Sequence, residues 1–241
     1  KKILMSNLCS EILQPQEVSE INDSQEFTKL GTDISCNLGS LNMVNLMESE
    51  DVGKTIRIAT RALTWVSDNS NIEVVPTVKN GNEKAHSIGL GLMGLASYFA
   101  MNQVEYGSKE SLEITSQIFE IMNYWTLYES NQIAKERGVS FDGFEDTTYA
   151  DGSYFEKYIA LKFEEKNSKV DNLFKNVFCP SIIDWMNLRE SVMKYGVYSE
   201  SRMAVAPNGS ISYINDCSSS IHPIINRIEE RQEKKIGKIY Y

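Results

Sequence analysis

The sequence has 241 residues, 41% hydrophobic and 24% charged, the composition of an ordinary globular chain large enough to bury a substantial core. Its formal charge of −9, with no basic cluster beyond Lys234, Lys235 and Lys238, argues against a nucleic-acid polymer as partner. No apolar run approaches the roughly 20 residues that span a bilayer, and residues 1–7 do not make a secretory signal, so a cytoplasmic location and no membrane partner are expected.

In chain order, residues 2–13 read as an extended, partly apolar segment and residues 14–33 as a polar loop. A second apolar stretch, 33–46, is interrupted by Gly39. The first amphipathic helix is predicted over 51–68, with Ile56, Ala59, Leu63 and Val66 on its buried face. Residues 69–82, with Pro76 and Gly81, read as a linker, and the Gly-rich apolar stretch 88–100 as helical. The longest helix is predicted over 108–137, with the stripe Ile114, Ile118, Ile121, Trp125 and Tyr128, an N-cap at Ser108 and a terminating Gly138. A short helix is expected near 153–166, and another over 181–195 that buries Trp185, Leu188, Val192 and Tyr195 and ends at Gly196. Residues 203–206 read as a buried strand, followed by a turn at Pro207-Asn208-Gly209 and a helix start at Ser210-Ile211-Ser212. The chain begins at Lys1 rather than Met and stops at Tyr240-Tyr241, so both ends read as cuts through a longer protein.

Three segments could carry chemistry. In Asn7-Leu8-Cys9-Ser10-Glu11, an extended backbone puts Asn7, Cys9 and Glu11 on one face. A thiol between an amide and a carboxylate is costly to bury without a purpose, although an exposed polar edge with an incidental cysteine gives the same pattern. The segment Ile34-Ser-Cys-Asn-Leu-Gly-Ser-Leu-Asn42 holds Cys36, which alone reads as a small buried residue. Residues 206–212, Ala-Pro-Asn-Gly-Ser-Ile-Ser, run a strand into a turn and a hydroxyl-lined helix start, which is a workable phosphate cradle or simply a capped helix. Gly89-Leu-Gly-Leu-Met-Gly94 matches G-x-G-x-x-G, but no strand is predicted before it, so its glycines are read as packing devices. His86 and His222 stand apart and read as structural. The cysteines Cys9, Cys36, Cys179 and Cys217 contain no C-x-x-C pair, so no metal site is expected.

Taken together, residues 5–12, 33–42, 86–95, 206–214 and 219–224 resemble, in order, the motifs of ribonucleotide reductase large subunits, most closely class Ib. The resemblance covers nearly the whole chain. It implies an α/β fold in which residues 1–241 form a helix-rich part of a ten-stranded α/β barrel, and an enzyme that reduces ribonucleoside diphosphates to deoxyribonucleoside diphosphates. By resemblance, Cys9 becomes a thiyl radical, Asn7 and Glu11 are its polar partners at the sugar, and Cys36 is one member of a redox disulfide whose other member lies upstream. Pro207, Asn208, Gly209, Ser210, Ile211 and Ser212 hold the substrate phosphates, with Asn208 standing where the family usually has Thr. Cys179 and Cys217 match no catalytic position, and Tyr240-Tyr241 resembles the radical-relay tyrosines only superficially.

The resemblance also implies a metal-containing small subunit as radical source, a second large subunit, a thioredoxin- or glutaredoxin-like reductant and dNTP or ATP effectors, with no cofactor on this chain itself. Two alternatives stay open: a cobalamin-dependent reductase, which shares the barrel and the thiyl chemistry, and a silent fragment of a split or interrupted gene.

Overall fold

The computed structural model describes residues 3–6, 11–70, 72–160, 167–226, 228, 230–233 and 237–240. The elements in order are β1 (Glu20–Ile21), β2 (Phe27–Lys29), β3 (Leu38–Asn42), α1 (Met43–Glu48), α2 (Val52–Asn69), α3 (Pro76–Ala85), β4 (Gly89–Met93), α4 (Leu95–Met101), α5 (Lys109–Arg137), α6 (Glu156–Ile159), α7 (Ser168–Phe174), α8 (Ile182–Tyr195), α9 (Gly209–Ile214), β5 (Glu230–Glu233) and β6 (Gly237–Tyr240).

Three parallel segments organise the site. β3 pairs with β4 in register from Leu38↔Gly89 to Asn42↔Met93. On the other side of β4, Leu90 bridges Met203 in parallel, its N–H donating to the Arg202 carbonyl at 2.9 Å and its carbonyl accepting from Ala204 N–H at 3.3 Å. Each segment runs into a helix: α1, α4 and α9. A strand followed at once by a helix, repeated in parallel neighbours, is the α/β pattern.

β4 corrects the helix expected over 88–100. Gly-Leu-Gly-Leu is a period-two pattern, and the stretch is a fully buried strand that breaks at Gly94, in the left-handed region at φ 80°, before α4 starts. Glycine is required at two of its positions. A Cβ on Gly91 would lie 2.2 Å from the Ala204 carbonyl oxygen, and one on Gly89 would lie 2.8 Å from Ala204 Cβ. The 203–206 segment, expected as a buried strand, makes only an isolated bridge at Met203 and is half-buried except at Ala206; it can approach only because β4 carries no side chain there. Arg202, 6% exposed, ties that segment to the helical layer: it donates to Tyr149 Oη at 3.1 Å and to Asn123 Oδ1 of α5 at 3.2 Å.

The 29-residue α5 is the spine of the helical layer. Ile114, Ile118 and Ile121 are fully buried as expected, while Trp125 and Tyr128 lie half-buried beneath the Arg57 guanidinium. Ser108 caps the helix by accepting from Ser111 N–H, and Gly138 ends it at φ 69°. α2 packs along it, and Glu129, only 2% exposed, is met by Arg57 at 2.6 Å and by Arg61. Arg61 also holds Glu136 through two bonds of 2.8 and 3.0 Å. On another side α8 packs against α5 through Trp185, whose indole donates to Glu120 at 3.0 Å and stacks on Tyr158 at 4.0 Å.

Other sequence expectations shift. The buried face of α2 runs through Val52, Ile56, Thr60, Thr64 and Ser67, whereas Val66 is exposed. The threonines reach the interior because their hydroxyls bond back to Ile56 and Thr60 carbonyls at 2.8 and 2.9 Å. The supposed linker 69–82 contains α3, started by Pro76, whose missing N–H costs nothing at a first helical position. Gly81 lies in that helix because a Cβ there would sit 2.0 Å from the Asp33 carbonyl. The loop 14–33 holds the short antiparallel pair β1–β2. Residues 3–6 form no strand. Tyr195 of α8 is exposed rather than buried, flanked by Lys135 and Lys194 at 4.8 and 5.0 Å. The helix near 153–166 reduces to a 3-10 turn at Ser153–Phe155 and the single turn of α6, with 161–166 outside the described residues.

Replacing Gly91 by alanine is expected to lower stability by about 3 kcal/mol, the upper range for overpacking a buried site, because the clash is with backbone and cannot rotate away. Chemical denaturation would measure it; a variant as stable as the parent would mean that the 203–206 segment does not lie against β4.

Candidate active site

The strand ends define two polar regions. At the C-terminal ends, β3 presents Ser40 and Asn42 at period-two spacing, on one face. Ser40 Oγ lies 3.0 Å from the Asn208 side chain, which also reaches the Leu92 carbonyl at 3.5 Å. Asn42 accepts from Val44 N–H to cap α1 and donates to the Asn215 carbonyl at 3.0 Å. Thus α9 is held at both ends, through Asn208 before it and Asn215 after it. Asn208 sits at φ 35°, a left-handed conformation that asparagine tolerates. Pro207 contributes its carbonyl, which accepts from Ser219 Oγ at 2.6 Å. Ser212 is buried and bonds to the Gly209 carbonyl at 2.8 Å.

Within residues 207–212, then, Pro207, Asn208 and Ser212 build the frame, and Ser210 and Ile211 face outward. Ser212 N–H closes the first turn on the Asn208 carbonyl at 3.2 Å. Helix geometry leaves the N–H groups of Gly209, Ser210 and Ile211 without intrahelical acceptors. The asparagine side chain is committed to Ser40 and Leu92, so an anion here would meet backbone amides and the Ser210 hydroxyl.

At the other ends of the same strands lies a cavity of roughly 80 Å³ lined by Glu11, Gln14, Ser35, Asn37, Gly89, Ser201 and their neighbours. Glu11 Oε1 and Ser35 Oγ are buried there without a hydrogen-bond partner among the described residues. Each left unmet costs about 1–3 kcal/mol, so the cavity suits a hydrogen-bonding occupant, water included. Cys36 is exposed, between Ser35 and Asn37, at the entry to β3. Asn7 and Cys9 lie outside the described residues, so of the triplet only Glu11 can be placed. Ala204 lines the cavity and Gly209 begins α9, so the two regions are about five residues apart along the chain, at most about 16 Å when extended.

The remaining candidates fall elsewhere. Cys179 is exposed, with Gln117 Nε2 2.9 Å from its sulfur. Cys217 packs under Gly94, and burial pushes its thiol pKa up, away from a reactive thiolate. His86 stacks on Tyr198 at 4.1 Å, and its Nδ1 is 3.5 Å from Asp68, which is also bonded by Arg137 and by Tyr198 Oη. Burial lowers the His86 pKa and outweighs the Asp68 charge, so the ring is a neutral structural group as expected. Among the described residues no group of three or more His, Cys, Asp or Glu could hold a metal. The sequence reading missed Gln14, Ser35, Ser40 and Asn42. Their signals were there: alternate polar residues in an otherwise apolar strand, and a glutamine next to the carboxylate motif.

Comparisons with known proteins identify the family. A model of the ribonucleotide reductase barrel domain matches residues 1–241. The chain therefore belongs to the ribonucleotide reductase barrel-domain family, and its parallel strand–helix units are part of that α/β barrel. It is 43% identical over 240 residues to the ribonucleoside-diphosphate reductase subunit alpha of Bacillus subtilis, covering 100% of this chain and 34% of that protein. To the NrdEB subunit alpha of Bacillus phage SPbeta it is 41% identical over 238 residues, covering 99% of this chain and 22% of that protein. The subunit alpha of Mycoplasma pneumoniae is 40% identical over 245 aligned positions, covering 99% of this chain and 34% of that protein. The chain thus spans about a third or less of these relatives.

His86 gives a pH test. Its folded pKa lies below the ordinary value of 6.5, so the unfolded chain takes a proton that the native ring refuses. The stability contribution is complete above about pH 6.5 and is lost as pH falls below it. A His86→Gln variant should flatten that part of the stability–pH curve. An unchanged slope would show that His86 is not buried neutral.

Proposed function

We propose that this chain supplies part of the catalytic barrel of a ribonucleoside-diphosphate reductase, an enzyme that makes deoxyribonucleoside diphosphates through a thiyl radical on Cys9. The observation that carries this reading is the polar cavity lined by Glu11 and Ser35, at the start of strands whose far ends meet the 207–212 turn; Cys36 follows Ser35 in sequence but is exposed and does not line the cavity. The family match over the whole chain gives that juxtaposition its chemical meaning.

The backbone amides of Gly209, Ser210 and Ile211, with the Ser210 hydroxyl, would receive the diphosphate, where the helix dipole favours negative charge. The ribose would then lie toward Glu11. Cys9 takes the hydrogen atom from C3′, leaving a substrate radical and a thiol. Glu11 accepts the 3′-hydroxyl proton, and Asn7 hydrogen-bonds the sugar hydroxyls. The thiol pair of Cys36 and a cysteine elsewhere in the complete subunit gives one proton to the 2′-hydroxyl, which leaves as water, and one hydrogen to C2′, supplying two electrons and becoming a disulfide. Glu11 returns its proton to the 3′-oxygen, and Cys9 returns its hydrogen to C3′, restoring the thiyl radical. A dithiol reductant of the thioredoxin or glutaredoxin class would reopen the disulfide. A metal-containing small subunit would generate the radical. A second large subunit, nucleotide effectors and a cytoplasmic setting complete the proposal. Among the described residues no helix is long and apolar enough to cross a membrane.

In the complete subunit, Cys9→Ala and Cys9→Ser should each abolish nucleotide reduction while leaving the folded protein intact. Serine cannot substitute, because its O–H bond is stronger than S–H and the alkoxyl radical is far harder to form. Turnover in either variant would remove Cys9 from its role. After a single turnover without external reductant, peptide mass spectrometry should find Cys36 in a disulfide, and not with Cys9, Cys179 or Cys217. Reduced Cys36 alongside formed product would overturn its assignment.

A further inference from the structure

The glutamine beside the carboxylate motif carries more than packing. Gln14 is 6% exposed and Ser35 is 3% exposed. The Gln14 amide makes two reciprocal bonds with one residue: Nε2 donates to the Ser35 carbonyl at 2.8 Å, and Oε1 accepts from Ser35 N–H at 3.2 Å. A side chain here does what a neighbouring strand would do, satisfying both backbone groups of the residue that precedes Cys36.

Gln16, 7% exposed, makes a second closure. Its Oε1 accepts from the N–H groups of Leu4 and Met5 at 3.0 and 2.9 Å. Residues 4–5 are thereby joined to residue 16. Gln14 in turn fastens its own segment to the β3 entry. Glu11 Oε1 and Ser35 Oγ, on the two segments so joined, both lie buried without a partner among the described residues.

We propose that Gln14 is a positioning residue that fixes Glu11 against the strand entry bearing Cys36. The inference rests on the roles proposed above for Glu11, Cys9 and Cys36. The substrate must present its 3′-hydroxyl to the carboxylate and C2′ to the redox thiol, so the two segments need a fixed separation. Misplacement by about an ångström costs up to about a hundredfold in rate. The phosphate-binding turn shares no bond with Gln14, so substrate affinity should survive its loss.

The test uses the complete subunit assembled with its small subunit. Gln14→Met keeps the side-chain volume and removes both bonds. Its kcat should fall about ten- to a hundredfold, with KM for a nucleoside diphosphate within about twofold of the parent. A parental kcat, or a raised KM at unchanged kcat, would overturn the proposal.

Leaving Ser35 unsatisfied could also unfold the protein, so Gln14→Glu supplies an independent reading. A protonated carboxyl can both donate to the Ser35 carbonyl and accept from its N–H; an ionised one has lost the donor. Glu11, Glu17, Asp33, Asp142, Glu200 and Lys84 share the cavities that Gln14 lines. This mainly acidic surround favours the protonated form. Activity relative to the parent at each pH should be highest at the acid end and fall as pH rises. A flat ratio would overturn the proposal.

Cys9→Ala in the same assay separates the levels of failure. If that variant turns over, the radical assignment is wrong and the inference falls with it. If it is dead while Gln14→Met works at the parental rate, only the positioning role is wrong.

Discussion

The structure depends on the contact between Gly91 and the Ala204 carbonyl, where a single methyl group would lie 2.2 Å from backbone. Because β4 is bare at that point, a third chain segment can join β3 and β4 as a parallel neighbour. From this follow the convergence of α1, α4 and α9 at one set of strand ends and the opening of the Glu11 cavity toward the other. The glycines that looked like a dinucleotide fingerprint are therefore structural. Gly89 and Gly91 sit inside the strand and only Gly94 lies in the turn after it, whereas that fingerprint needs all of them there.

The two polar regions are held by similar means. Buried or half-buried amide side chains, not ion pairs, tie chain segments that are distant in sequence: Asn208 to Ser40, Asn42 to Asn215, and Gln14 to Ser35. An amide carries a donor and an acceptor in one plane and can satisfy a peptide group or hydroxyl without introducing charge. Buried charge is used instead in the helical layer, where Glu129 is neutralised by two arginines that keep contact with solvent.

Much of this was readable from residues. The long helix 108–137, its two caps and its isoleucine stripe follow from 3.6-residue periodicity. The capping box at Ser181 and Asp184 starts α8 near its expected position. The motifs carried the family, and the match over residues 1–241 bears it out. What was missed has identifiable causes. β4 was read as helix because alternation between glycine and leucine is weak as a hydrophobic signal. The α2 face was displaced because Thr60 and Thr64 hide their hydroxyls on the helix backbone, which polarity scales cannot anticipate. The amide ties between Gln14 and Ser35, and between Ser40 and Asn208, span 21 and 168 residues and exist only once the strands are side by side.

The central claim is that one substrate lies along these strands, phosphates at the 207–212 turn and sugar at the Glu11 cavity. The most direct measurement is a crystal structure of the complete subunit with a nucleoside diphosphate bound. The account predicts phosphate oxygens on the amides of Gly209, Ser210 and Ile211, and a ribose hydroxyl within hydrogen-bond reach of Glu11. A diphosphate seated on the Gly89–Gly94 segment, or a sugar turned away from Glu11, would contradict it.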